Sequence, residues 1–271
     1  MWGPVGLVLS TPLTVCLLVL GRYVPPLKFL HVLLGDQEAL SPEACYYQRL
    51  LALDEDEAQE VAETYLKEKT SGELYDEVLI PALSLAEQDR HQNALDEERE
   101  KFIYQTTKEL IEELGERSLT VPSTAEIVIS PDSQVSILCV PARDEADELV
   151  GLMLVQLLQH AGHHTKAIPL GTVEATLTLL KQSNPDILLV STLPPFGINQ
   201  ARSLCRQARR ECPGLKIVIG FWNAAADVTK IQERLGNGSV DYVINNVRQA
   251  ELQVRLFEAQ LALQRTEAKA I

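Results

Sequence analysis

The sequence predicts a five-stranded parallel α/β domain over residues 135–267, preceded by an acidic helical bundle and one apolar membrane span. Three observations carry this. Short apolar runs without alternation recur from Val135 onward, the pattern of strands buried on both faces. Segments at helical spacing separate those runs, as in βαβ units. Acidic residues concentrate upstream: residues 41–118 hold 21 acidic and 8 basic side chains, nearly all of the chain's net charge of −14.

The predicted strands are Val135–Val140, Lys166–Leu170, Ile187–Ser191, Ile217–Phe221 and Tyr242–Asn245. The helices between and after them are Ala146–His160, Val173–Gln182, Asn199–Arg210, Asp227–Leu235 and Gln249–Leu263. Such units close right-handed into a parallel sheet. In a flavodoxin-like strand order, ligands bind outside the carboxyl ends of the strands. The loops there are Pro141–Asp144, Ser191–Pro195, Phe221–Asn223 and Asn245–Asn246.

Upstream, apolar residues at helical spacing from Pro42 to Leu114 mark about four helices of a bundle, residues 42–118. One closes at Leu50, Leu51 and Leu53. The next is striped by Ala58, Val61, Ala62 and Tyr65. A third carries Leu74 to Leu85 with a bend expected at Pro81. The fourth runs through Phe102, Ile103, Leu110 and Ile111 to a stop expected at Gly115. The run Asp54-Glu55-Asp56-Glu57 suits a helix N-terminus, and it lacks the alternating ligands and central glycine of a calcium loop. Residues 119–134, with Pro122 and Pro131, read as a linker.

Several functions are disfavoured. An acidic chain repels phosphate backbones, so no nucleic-acid partner is expected. Arg143, Asp144, Glu145, Asp147 and Glu148 follow the first strand where a phosphate site needs a glycine- or hydroxyl-rich turn, and the like charges repel phosphate. Five cysteines without a Cys-x-x-Cys pair read as free thiols, and their spacing suits no zinc site. His160, His163 and His164 stand where a helix ends, where a cationic ring complements the dipole. No Gly-x-Ser-x-Gly turn and no nucleophile with a base partner is present, so the chain reads as non-enzymatic.

Met1–Gly21 contains no charged residue, and about 20 apolar residues suffice to cross a bilayer. No basic lead precedes it and no small-x-small cleavage site follows, so it reads as a span rather than a signal peptide. Arg22 and Lys28 follow at once, which places residues 22–271 in the cytoplasm and the chain in the inner membrane. The runs Trp2-Gly3-Pro4-Val5-Gly6-Leu7, Ser10-Thr11-Pro12-Leu13-Thr14 and Gly21-Arg22-Tyr23-Val24-Pro25 resemble the last transmembrane helix of autoinducer-2 exporter family permeases. Phe29 to Asp36 resembles their juxtamembrane stretch. The resemblance implies a permease tail whose partners are further transmembrane helices. It allows a homo-oligomer.

A second resemblance covers residues 42–265. Cobalamin-binding domains carry an Asp-x-His-x-x-Gly turn, a Ser-x-Leu and a Gly-Gly after the first, third and fourth strands. Here Asp144, Ser191, Leu193 and Gly220 match, whereas Ala146 replaces the cobalt-ligating histidine, Leu149 the turn glycine and Phe221 the second glycine. The bundle is similar to the module that covers the cofactor, with Arg90 in the slot of its tryptophan, Glu100 keeping its glutamate and Lys101 replacing its histidine. The resemblance implies a degenerate ligand site at Arg90, Glu100, Asp144, Ser191, Leu193, Gly220 and Trp222, without a metal donor. Leu149 and Phe221 crowd the backbone approach that glycines allow, and Phe221 is expected to fill part of the tunnel for the cofactor's tail. The expectation is a membrane-tethered, non-catalytic regulatory or sensor domain without cofactor. Two alternatives are a cobalamin sensor lacking the lower histidine and a fragment of an active transporter.

Overall fold

Five parallel strands, β1 (Ser136–Pro141), β2 (His164–Ala167), β3 (Ile187–Thr192), β4 (Lys216–Phe221) and β5 (Tyr242–Ile244), form one sheet in the order β2-β1-β3-β4-β5. This is the flavodoxin-like order expected from the sequence. The structure, a computed structural model, describes residues 40–120, 135–194, 196–222, 228–236 and 238–269, with backbone alone for 118–120 and 262–269. The predicted span at residues 1–21, its juxtamembrane stretch and most of the predicted linker lie outside the described residues. Among the described residues, no helix is long and apolar enough to cross a membrane.

Successive strand residues point to opposite faces. Ile137, Cys139, Ile187, Leu189 and Val218 pack toward α6 (Glu145–His160) and α10 (Val247–Lys269). Leu138, Val140, Leu188, Val190, Ile217 and Ile219 pack toward α7 (Val173–Ser183), α8 (Ile198–Glu211) and α9 (Val228–Leu235). All six residues of β3 are buried, which explains its unbroken apolar run. Strand β2 starts two residues earlier than the sequence predicts. The His163 N–H closes α6 on Leu158 O at 2.9 Å, Gly162 turns the chain at φ +87°, and pairing begins at once with His164 opposite Ser136.

The bundle comprises α1 (Pro42–Leu51), α2 (Glu55–Leu66), α3 (Ser71–Leu74), α4 (Ile80–His91) and α5 (Glu97–Thr120). Asp54 caps α2 by accepting from Glu57 N at 3.1 Å, so the acidic run is a helix start. A π-helical turn, Tyr75–Leu79, joins α3 to α4. The Ile80 N–H reaches back five residues to Tyr75 O. The irregularity expected at Pro81 therefore falls just before it, where the helix widens by one residue ahead of the missing N–H.

Helix α5 does not stop at Gly115 but continues to Thr120. The glycine serves a helix crossing. A Cβ there would lie 2.0 Å from Gln156 Nε2, and that amide donates to Ile111 O at 2.8 Å while Tyr75 OH donates to its oxygen. One continuous core runs through the bundle and the α6–α10 side of the sheet. Asp76 in the π-turn accepts from Val247 N at 2.8 Å, capping α10.

Candidate functional site

Asp144 follows β1 and caps α6: its backbone is extended and its Oδ1 accepts from Asp147 N at 3.4 Å. Its other oxygen faces the bundle. Arg90 Nη2, near the end of α4, donates to Asp144 Oδ2 at 2.7 Å and to Glu87 Oε2 at 2.6 Å, and Arg90 Nε lies 3.7 Å from Glu100 Oε1. Tyr104 OH donates to the second oxygen of Glu87, which is buried. Beside this cluster the His91 ring packs on Phe196, centroids 3.8 Å apart, and Arg143 Nη1 lies 3.3 Å from His91 Nε2. The bundle thus closes directly onto the carboxyl edge of the sheet.

The electrostatics are dominated by burial. Burial raises the Asp144 and Glu100 carboxyls above their ordinary values, and the Arg90 charge only partly offsets this. Burial opposes the Arg90 charge too, but the Glu87 hydrogen bond and charge hold it firmly protonated. Asp147 is 2% exposed. Burial, then the Asp144 carboxylate, pushes its carboxyl well above the carboxylate range. Its Oδ1 accepts from Leu193 N at 2.6 Å, tying the loop after β3 to α6, and its Oδ2 has no partner among the described residues.

A second group lies between the ends of β3 and β4, where Ser191 pairs with Gly220. Trp222 is fully buried, its N–H donates to Ser191 Oγ at 2.9 Å, and its backbone N donates to Thr192 O at 3.2 Å. A Cβ on Gly220 would stand 2.0 Å from Trp222 Cζ2, so the indole lies directly on the glycine. Strand parity explains this: Gly220 and Trp222 share a face, and Phe221 points to the other core, toward α8. The expectation that Phe221 fills this side is therefore corrected; Trp222 does. Helix α6 passes closely at Gly151, where a Cβ would meet Cys139 Sγ at 3.4 Å and Ser191 Cβ at 3.7 Å.

Ala146 and Leu149 are buried within α6, in the helix expected from Ala146 onward, and neither supplies a metal donor. Among the described residues no group of three or more His, Cys, Asp or Glu could hold a metal ion. Cys45, Cys139, Cys205 and Cys212 are free, and burial pushes the Cys139 thiol up to about 12. His163 turns to Glu258 of α10 at 2.8 Å rather than joining His160 and His164 in a cluster.

Of the predicted site residues, the structure brings Arg90, Glu100 and Asp144 into one cluster and Ser191, Gly220 and Trp222 into another. Leu193 joins the first through its backbone N–H. Lys101 is exposed. Sequence reasoning missed Glu87, His91, Tyr104, Asp147 and Phe196. Glu87 carried a signal: it continues the buried row Leu79, Leu83 at intervals of four, where a carboxylate demands a partner.

No family model and no curated protein matches the chain. Solved structures do. The monomethylamine corrinoid protein of Methanosarcina barkeri aligns at a TM-score of 0.55 and 13% identity, over 77% of this chain and 94% of that one. A cobalamin-binding protein of Desulfitobacterium hafniense DCB-2 aligns at 0.40 and 12%, over 80% and 98%. The methanol:cobalamin methyltransferase complex of Methanosarcina barkeri aligns at 0.36 and 14%, over 80% of each. At such identity the likeness to the first establishes a shared fold, bundle and sheet together.

Proposed function

We propose that residues 42–271 form a non-catalytic regulatory module, built on the corrinoid-protein fold, that fills its own ligand slot. The observation that carries this is the fully buried Trp222 indole, seated on Gly220 and hydrogen-bonded to Ser191. The residues present do not fit a corrinoid. Ala146 offers no nitrogen to a metal, Gly220 is covered, and the Arg90–Asp144 bridge at 2.7 Å closes the bundle onto the strand ends. The module's output is then set by whatever moves bundle against sheet, not by a bound reactive group.

The permease-like residues 1–40 suggest the setting. We read the module as the cytoplasmic tail of an autoinducer-2 exporter family permease, tethered in the inner membrane by residues 1–21. Sedimentation of the chain with membranes after an alkaline wash supports the tether, and its release to the supernatant overturns it. Deleting residues 42–271 from the intact permease is expected to change the regulation of transport; unchanged transport counts against a regulatory role.

A second reading is a cobalamin sensor without the lower histidine, favoured by the shared fold and by the retained Asp144, Ser191, Leu193 and Gly220. One experiment separates the two. The full chain in a nonionic detergent is incubated with hydroxocobalamin and passed through gel filtration. The first reading expects a protein peak without visible absorbance; co-eluting cobalamin overturns it in favour of the second.

A further inference from the structure

Helix α8 places four arginines on an otherwise acidic protein. Arg209 is committed, pairing with Asp241 and with Leu215 O. The other three, Arg202, Arg206 and Arg210, recur every four residues and so form one row about 12 Å long. None of these three has an acidic partner among the described residues; the Arg206 and Arg202 heads instead lie beside Gly236, 3.2 and 3.9 Å from where a Cβ would stand. Together with Asn199, Ser203 and Gln207 they form one outward polar face of the helix.

A complementary surface lies on the bundle. Helices α2 and α5 enclose a groove of about 250 Å³ whose rim carries Glu55, Glu109 and Glu113 over a floor that includes Tyr46 and Leu110. Glu113 is engaged by Arg117 at 2.6 Å and Gln59 at 3.3 Å, and Glu109 by Gln105 at 3.0 Å; Glu55 has no partner among the described residues. An apolar floor beneath carboxylates suits arginine, whose stem packs while its head pairs. The two surfaces cannot meet within one molecule. The inner face of α8 belongs to the core on one side of the sheet, and α2 and α5 to the core on the other.

We propose that the arginine row of α8 docks into the α2–α5 groove of a second copy of this chain. The contact joins two different surfaces, so it repeats head to tail and builds a ring or an open row of modules. Exposed pairs are screened by salt, so the assembly is weak and salt-sensitive.

The test uses the full chain in a nonionic detergent, with protein mass measured by light scattering at about 0.01 M and about 1 M salt, where the screening length falls from about 30 Å to 3 Å. The expected result is a mass at least doubled at low salt relative to high salt. Arg206→Glu with Arg210→Glu should abolish the increase, as should Glu55→Arg with Glu109→Arg. All four changes in one chain should restore it. Circular dichroism establishes that each variant is folded. A mass that ignores salt in the unaltered chain overturns the proposal, as does a folded four-fold variant that fails to regain association. Flotation with anionic vesicles in excess of that with neutral ones, the excess being lost on Arg206→Glu, in a chain that does not self-associate, overturns it and assigns the row to a lipid surface.

Discussion

The indole N–H of Trp222 donates to Ser191 Oγ at 2.9 Å, across paired strands and out of reach of water. Ser191→Ala therefore strands a buried donor. The expected cost is about 1–3 kcal/mol, read as a lower urea midpoint with unchanged slope.

Gly220 accepts this ring only because it has no side chain. Gly220→Ala drives a methyl into the indole, 2.0 Å from Cζ2, and should cost about 1–3 kcal/mol. Adding Trp222→Phe should relieve part of that clash, so the double variant should lose less than the sum of the two single losses, a non-zero coupling in the double-mutant cycle. Trp222→Gly alone should cost about 3–5 kcal/mol, and free indole should raise the melting temperature of that variant and not of the parent.

Arg90 is the cation shared by Glu87, Glu100 and Asp144. Arg90→Met leaves Glu87 and Glu100 without an arginine and Asp144 with only Arg143 at 3.9 Å, and should destabilise by about 3–5 kcal/mol at neutral pH. The loss should shrink as pH falls and the carboxyls take up protons. Hydrogen exchange should accelerate at the end of α4 and the start of α6.

Asp147 sets a pH dependence. Its carboxyl is raised in the folded state, so the stabilisation of its neutral form is complete below the unfolded value of about 3.9 and is lost as pH rises through the raised folded one. Asp147→Asn keeps an acceptor for Leu193 N and removes the charge. The variant should match the parent near pH 4 and exceed it by about 1–3 kcal/mol near pH 8, in thermal melts across that range.

Helix propensity alone makes Gly115→Ala stabilising by about 1 kcal/mol. The structure predicts the reverse. The new methyl displaces the Gln156 amide from Ile111 O and Tyr75, and the net loss should be about 1–2 kcal/mol by urea unfolding.

The sheet was legible because buried parallel strands leave uninterrupted apolar runs: β3 and β4 fall within one residue of their expected bounds. The position of Trp222 could also be counted, since residues two apart on a strand share a face; Phe221, in the slot of the missing second glycine, belongs to the other core. The cluster around Arg90 was legible only in fragments. Glu87 and Asp144 stand 57 positions apart, on two modules, and the periodicity of either says nothing of how they dock. Gly115 misled because a glycine at a helix crossing and one at a helix end look alike in sequence.

The single surplus residue of the π-turn acts as a phase shifter. Each helical residue advances the azimuth by about 100°, so excising Glu77 and relaxing the turn to regular helix would swing α4 by that angle relative to α3. The Arg90 guanidinium could then no longer aim at Asp144 while Asp76 still addresses the start of α10. The rod from Ser71 to His91 is accordingly keyed at both ends, and its key is one amino acid long.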